Sequence, residues 1–391
     1  MSKRKILAFT PIFYPHMGGA ERTVYELYTR LVRIYGYEIH LVTINTENAP
    51  SYELIEGIHV YRISKLYKNK FIKIICLQFS FLWLYIKNFF NKGFKVLHVH
   101  YAFHLSPIVF VYKYIFRKKV IVSEYHFGTG ADISTQEENP SYINNICGFV
   151  YNAADCILTI SQDNKRFITS VSHKKNIHVI KQGTDHVFFA PEHCSRENKN
   201  RLRQNKSFVL VTTSRISPRK NIEDMISVVD ILKKNGLDVL LLINGKVDKG
   251  NDEYFVLLQE KLKECNLEGS VVFNGFVSDE SLREIYACAD LFVLTSKYEG
   301  FGIANVEALA SGTPVVTYDT GAAKDFISDG QNGYVTQNTP QDMAKIIQKV
   351  LENKEKLEYM SLQARYSVEK ELNWDTYAKN NHDIIDKLFK S

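Results

Sequence analysis

LFVLTSKYEGFGIANVEALASGTPVVTY, residues 291–318, carries a complete strand–loop–helix–strand unit. Leu291–Leu294 is a short apolar run of the kind a fully buried strand requires. Gly300 and Gly302 leave the following loop free to approach a ligand with its backbone. A helix follows, Gly312 stops it, Pro314 lies just past the stop, and Val315–Tyr318 starts the next strand. Short apolar strands joined through helices imply a parallel sheet covered on both faces.

The same alternation extends outward in both directions. Phe208–Thr213, Val239–Ile243 and Val271–Phe273 read as further strands of this half. Ile6–Thr10, Glu38–Ile44, Val96–His100, Val120–Ser123, Cys156–Ile160 and His178–Ile180 read as strands of another. Between the first two, Val24, Leu27, Tyr28, Leu31 and Val32 share one helical face, and Gly36 ends that helix. Residues 191–206 are polar and charged and read as a linker, which gives two doubly wound α/β domains with a cleft for ligands at their strand ends.

Composition fits two globular cores: 391 residues, 45% apolar and 24% charged. The net charge of +6 is unevenly spread, with 23 basic against 13 acidic residues up to position 190. Residues 57–123 hold 12 Lys+Arg and no acid, a field that attracts an anionic surface or substrate. Six cysteines lie far apart without a CxxC pair, which reads as free thiols in a reducing compartment. Ser2–Lys5 runs straight into a strand-like segment, so no secretory leader is expected and the cytoplasm is the default location.

Three junctions carry the chemistry. Gly18 and Gly19 stand between the first strand and first helix, where they serve either a tight turn or backbone N–H contacts to phosphate. The segment is not GxGxxG, which weakens a nicotinamide dehydrogenase reading. Ser214–Asn221 (SRISPRKN) follows a strand and sets Arg215 and Lys220 where a diphosphate would need cations. Alone it is also a solvated basic loop. Glu299 and Glu307 are eight apart across a strand–loop–helix junction and suit hydroxyl recognition; the plain alternative is a helix-start acid and a surface Glu.

Together these motifs, with EGFG…EALASGTPVV and GFVSDESLREIYACADLFVLTS, resemble bacterial glycosyltransferase family 4 over nearly the whole chain. The resemblance implies the GT-B fold, two Rossmann-like domains facing across a cleft, and retaining, metal-independent transfer. Residues 1–190 with a returning helix 372–391 would bind acceptor, and residues 207–371 the nucleotide-sugar donor. It implies that Arg215 and Lys220 neutralise the pyrophosphate. Glu299 and the backbone at Phe301, Gly302 and Ile303 would meet the sugar, and Glu307 the ribose. Gly18 and Gly19 would lie by the phosphates, and His126 by the transferred sugar. His98, His100 and His104 crowd a neighbouring strand end and read better as core or rim histidines. Two departures touch the donor: Asn244–Gly250 replaces a compact Gly-x-Gly, and Thr295–Ser296 replaces Pro-Ser.

The implied activity is transfer of a hexose or N-acetylhexosamine from a UDP-sugar, with a GDP-sugar as the other donor, to a glycan or lipid-linked acceptor. Surface polysaccharide or glycolipid synthesis is the expected setting. A GDP-mannose-dependent mannosyltransferase, a UDP-sugar 2-epimerase and a non-catalytic nucleotide-sugar-binding module are the alternatives. No Asp-x-Asp occurs, so neither a metal nor another cofactor is expected, and no nucleic-acid motif accompanies the basic residues. Residues 71–90 are very apolar but leave only 13 uncharged residues between Lys73 and Lys87, too few to span a bilayer. They read as a helix packed on the sheet or as an interfacial patch at the inner membrane face.

Overall fold

The computed structural model describes residues 4–15, 18–45, 48–64, 78–86, 93–102, 106–125 and 141–390. They form two compact units, Met1–Ile180 with Trp374–Ser391, and Lys181–Asn373. The elements of the first stretch are β1 (Lys5–Phe9), α1 (Gly19–Arg33), β2 (Glu38–Asn45), β3 (Tyr52–Ile55), β4 (Ile58–Ser64) and helix α2 (78–86). There follow β5 (Val96–His100), α3 (Ser106–Phe110, continued by a π turn Val111–Ile115), β6 (Lys119–Glu124), α4 (Ser141–Ala153), β7 (Cys156–Thr159), α5 (Gln162–Val171) and β8 (Ile177–Val179). The second stretch has α6 (Arg196–Arg203), β9 (Phe208–Thr213), α7 (Ile222–Lys234), β10 (Val239–Asn244), α8 (Asp252–Glu264), β11 (Val271–Gly275), α9 (Asp279–Cys288) and β12 (Leu291–Leu294). It closes with α10 (Ile303–Ala310), β13 (Val315–Tyr318), α11 (Ala323–Phe326), β14 (Gly333–Thr336), α12 (Pro340–Leu351), α13 (Lys354–Lys370) and α14 (Trp374–Lys390).

In the first unit the strand order is β3-β4-β2-β1-β5-β6-β7-β8. Among the described residues every pairing in this sheet is parallel except β3–β4, an antiparallel edge hairpin. That hairpin was not legible as two strands. Its turn is Glu56-Gly57, both at positive φ (51° and 83°), a geometry that fits the twist of a two-residue hairpin but is not flagged by Glu at the first position. Val24, Leu27, Tyr28 and Leu31 of α1 are buried on the sheet, and Gly36 at φ 69° closes the helix end with its N–H on the Val32 carbonyl. Helix α14 belongs to this unit, held by Arg4–Asp386 (2.7 Å), Arg30–Asp375 (2.6 Å) and Tyr37 Oη to His382 Nδ1 (3.0 Å), with Trp374 buried.

The second sheet runs β11-β10-β9-β12-β13-β14, all parallel. Strand order reverses between β9 and β12, and a crevice for ligands opens beyond the carboxyl ends of strands at such a point. The segments SRISPRKN and KYEGFG leave those two ends.

The structure overturns two expectations. Residues 191–206 are not a linker. They lie inside the second unit as a 3-10 turn (Pro191–His193) and α6, whose N-cap Ser195 accepts from the Asn198 N–H at 3.0 Å. Lys199 and Arg203 reach Asp290 at 3.2 and 3.3 Å. The polar composition reflects a surface helix bound by charge rather than a free tether. Nor are all cysteines thiols: Cys194 and Cys288 form a disulfide, brought together across 94 residues because the 191–203 segment packs on the end of α9. Linear spacing cannot reveal such a pairing, and the case for a reducing compartment loses that support. No helix among the described residues is long and apolar enough to cross a membrane.

Candidate active site

Lys220 ends a short 3-10 turn, Pro218–Lys220, beyond β9. Asn221 then takes a left-handed conformation (φ 51°) and redirects the chain into α7. Three contacts fix this turn. Thr295 Oγ1 donates to the Asn221 carbonyl at 2.8 Å, the Lys297 N–H donates to the Arg219 carbonyl at 2.9 Å, and the Ile222 N–H donates to Tyr254 Oη at 3.0 Å. Asp224 accepts from both Asn221 Nδ2 (2.8 Å) and Tyr318 Oη (2.9 Å), tying the start of α7 to β13. The loops after β9 and β12 are thus stitched together before any side-chain charge is considered.

The charges then meet. Lys220 Nζ donates to Glu299 Oε2 at 2.8 Å and Oε1 at 3.2 Å. Arg219 Nη1 lies 4.0 Å from the same carboxylate and donates to the Tyr298 carbonyl at 3.3 Å. The Lys220 and Glu299 side chains are only 9% and 15% exposed. Burial works to raise the Glu299 carboxyl, but the Lys220 ammonium and the Arg219 guanidinium outweigh it and hold it below its ordinary range. Burial lowers the Lys220 ammonium, and Glu299 offsets this only in part. The result is a largely buried cluster with two cations on one acid, a setting suited to a further anion.

Glycines shape the Glu299 loop. Gly302 sits at φ 82°, and a Cβ there would stand 2.7 Å from Asn305 Nδ2. Gly321, at φ 57°, passes so close that its Cβ would stand 2.0 Å from the Glu299 carbonyl. α10 starts at Ile303 with Gly302 as its N-cap, so its first-turn N–H groups begin beside Glu299. Phe301 is buried with its ring 5.0 Å from Phe326, leaving only its backbone for a ligand.

The other expected residues lie as follows. Arg215 is 68% exposed and pairs with Asp248 at 3.2 Å rather than joining Lys220. Its loop hugs β10 closely enough that a Cβ on Gly245 would meet the Ser214 carbonyl at 1.9 Å. Glu307 is buried on the second turn of α10; its carboxylate adds to burial in raising the Tyr286 hydroxyl of α9. In the first unit the Gly18 N–H donates to Glu21 Oε2 at 3.0 Å at the start of α1. His126 and His104 lie outside the described residues. Arg219 and Gly321 were not among the expected site residues. The first was visible as a basic neighbour of Lys220. The second was hidden in an ordinary Asp319-Thr320-Gly321 turn.

His98 and His100 are core residues. Tyr28 Oη bridges His98 Nδ1 (2.9 Å) and His100 Nε2 (2.7 Å), Ser123 Oγ meets His98 Nε2 at 2.7 Å, and Tyr125 Oη meets His100 Nδ1 at 2.9 Å. Burial pushes His98 down to about 3, and burial with the neighbouring His98 pushes His100 well below its ordinary value. Both are neutral at physiological pH.

Residues 17–188 match the family model described as Glycosyltransferase Family 4, and residues 195–366 the one described as Glycosyl transferases group 1. A mannosylfructose-phosphate synthase of Agrobacterium fabrum is 27% identical over 84% of this chain and 77% of its own length. Among solved structures, a sucrose-phosphate synthase from Thermosynechococcus elongatus superposes with a TM-score of 0.81 at 19% identity, covering 99% of this chain and 100% of that one. Anabaena HepE in complex with UDP superposes with a TM-score of 0.77 at 19% identity, covering 98% and 100%.

Proposed function

We propose a reaction for a chain that belongs to glycosyltransferase family 4, has the GT-B fold and is a glycosyltransferase. It moves a hexose or N-acetylhexosamine from a UDP-sugar, with retention, to a glycan or lipid-linked acceptor at the cytoplasmic face of a membrane. Cell-surface polysaccharide or glycolipid assembly is the setting. The observation that carries this reading is the Lys220–Glu299 pair with Arg219 beside it, at the switch point of the second sheet. The UDP held by Anabaena HepE supports the choice of base.

Departure of a nucleoside diphosphate builds negative charge on phosphate and positive charge at the anomeric carbon. Lys220, Arg219 and the first-turn N–H groups of α10 offer fixed positive charge against which the leaving phosphate develops. Arg215 swings from Asp248 to the same phosphates. Glu299 orients Lys220 and accepts from sugar hydroxyls, and Glu307 takes the ribose hydroxyls. The leaving phosphate itself takes the acceptor proton during attack on the front face. Metal independence rests on the lack of Asp-x-Asp in the sequence.

A panel of UDP- and GDP-sugars, scored by thermal shift and by released nucleotide, tests the reading. A UDP-sugar should stabilise the protein and turn over with an acceptor. An inverted anomeric product sinks the mechanism. A free epimer formed without acceptor moves the chain to the 2-epimerases.

A further inference from the structure

Helix α2 is apolar on both sides. Gln78 and Ser80 are its only polar residues. Phe81 and Tyr85 are buried: Phe81 stands 5.9 Å from the Phe9 ring, and Tyr85 stands 4.6 and 5.0 Å from the rings of Tyr112 and Phe116. The opposite side presents Phe79, Trp83 and Ile86, which are 69%, 61% and 57% exposed. Their spacing of four and then three residues makes one stripe, about 10 Å long at helical rise. A surface helix normally turns charge to water on that side.

The apolar surface continues beside it. Tyr114 and Ile115, at the end of the α3 π turn that Tyr112 anchors against Tyr85, are also strongly exposed. Arg117 follows them and is exposed; Lys95, exposed as well, precedes the adjacent strand, and the Lys119 N–H donates to its carbonyl at 3.0 Å. Lys113 is engaged by Asp155 at 2.5 Å and takes no part. Across residues 57–123 the sequence supplies twelve cations and no acid.

We propose that this face of the first unit docks on a bilayer bearing anionic headgroups, with Phe79, Trp83, Ile86, Tyr114 and Ile115 at the acyl boundary and Lys95 and Arg117 on the headgroups. The charge selects the occupant. A protein interface carries a mixed polar rim, whereas exposed Trp, Tyr and Phe with exposed Lys95 and Arg117, on a segment that holds no acid, match the chemistry of an anionic lipid interface. The docking deepens the acceptor part of the reading above and rests on it only for its purpose, which is to bring the enzyme to a lipid-linked acceptor.

The test uses the full chain and vesicles of phosphatidylcholine with or without about 30% phosphatidylglycerol, at low and high salt. Trp83 reports insertion, because the chain's other tryptophan, Trp374, is buried. Flotation with the anionic vesicles is expected, together with a blue shift in emission that Trp83→Phe abolishes. Neutral vesicles or about 0.5 M salt should weaken binding about tenfold or more. Phe79→Ser with Trp83→Ser should weaken it similarly, and so should Lys95→Glu with Arg117→Glu, a pair that leaves the apolar stripe intact. Nucleotide release from the donor, measured without vesicles, should stay within about twofold in both variants, since these residues lie outside the Lys220–Glu299 loops. Loss of that release would indict the catalytic reading and leave the docking standing. Absence of flotation at low salt, equal binding by the variants, or self-association that Trp83→Ser dissolves would overturn the proposal.

Discussion

Apart from the edge hairpin β3–β4, the strand order of the two sheets reverses at β1/β5 and at β9/β12, and each sheet keeps a buried polar cluster by that reversal. The clusters are opposite in kind. By β5 the cluster is neutral and closed: two histidines, two tyrosines and a serine exchange hydrogen bonds with no net charge. By β9 and β12 it is charged, with Lys220 and Arg219 facing the single acid Glu299. A neutral network satisfies itself and adds rigidity, whereas a cluster with an excess cation has a use for another anion. The same topological position therefore holds a self-satisfied neutral network in one unit and a charged cluster with an excess cation in the other.

The strongest way to break this contrast is Lys220→Ala. Loss of one fixed cation aimed at the developing charge should lower kcat by about 10²–10³, read as nucleotide released at saturating donor. It also leaves the buried Glu299 with only the more distant Arg219, 4.0 Å away, to balance it, at a cost of up to about 3 kcal/mol in urea unfolding. The double variant Lys220→Met, Glu299→Gln should regain most of that stability and none of the turnover. A drop within threefold would end the account.

Tyr28→Phe is the mirror experiment. It leaves His98 and His100 without a shared hydroxyl and should cost about 1–3 kcal/mol of stability, while nucleotide release changes less than about twofold. A large loss of turnover at unchanged stability would make the first cluster catalytic too.

Acid separates the clusters more gently. His98 has a folded pKa near 3 against an ordinary 6.5, so the unfolded chain binds the extra proton between those values. Its contribution is complete above pH 6.5 and falls by about 1.4 kcal/mol per pH unit below it. The Glu299 carboxyl is held below its ordinary 4.5, so its contribution is whole above that value and is lost as pH falls beneath it. Hydrogen exchange at pH 5.5 should therefore loosen β5–β6 before β9–β12. Simultaneous loosening, or the reverse order, would refute the neutral assignment.

Arg215→Ala should show the smallest structural effect. Its exposed pairing with Asp248 contributes under about 0.5 kcal/mol, yet turnover should fall about tenfold if the side chain swings to the diphosphate. Unchanged turnover would restrict the charged cluster to Lys220 and Arg219.

The limits of sequence reading follow from what each signal encodes. The helix face Val24–Leu31, the strand Leu291–Leu294 and the stops at Gly36 and Gly312 were legible because burial imposes a period and a helix end needs a left-handed residue. The hairpin at 52–64 escaped because Glu56 occupies a position usually marked by Asn or Asp. Residues 191–206 looked like a tether because a surface helix bound by ion pairs has the composition of one. Lys220 and Glu299 were legible as types and positions. That Arg219 rather than Arg215 stands beside them was not, since the turn Pro218–Asn221 sets the direction of each side chain.

The sequence alone determined the alternation of strand and helix, the division into two α/β halves and the family motifs, because these are written in local periodicity and in glycines at fixed points. Tertiary structure alone decided which polar residues are neutral, which cysteines bond and which cation faces Glu299. Those outcomes depend on burial and on partners tens of residues away, and the free energy of a charge is set by its surroundings rather than by its neighbours in the chain.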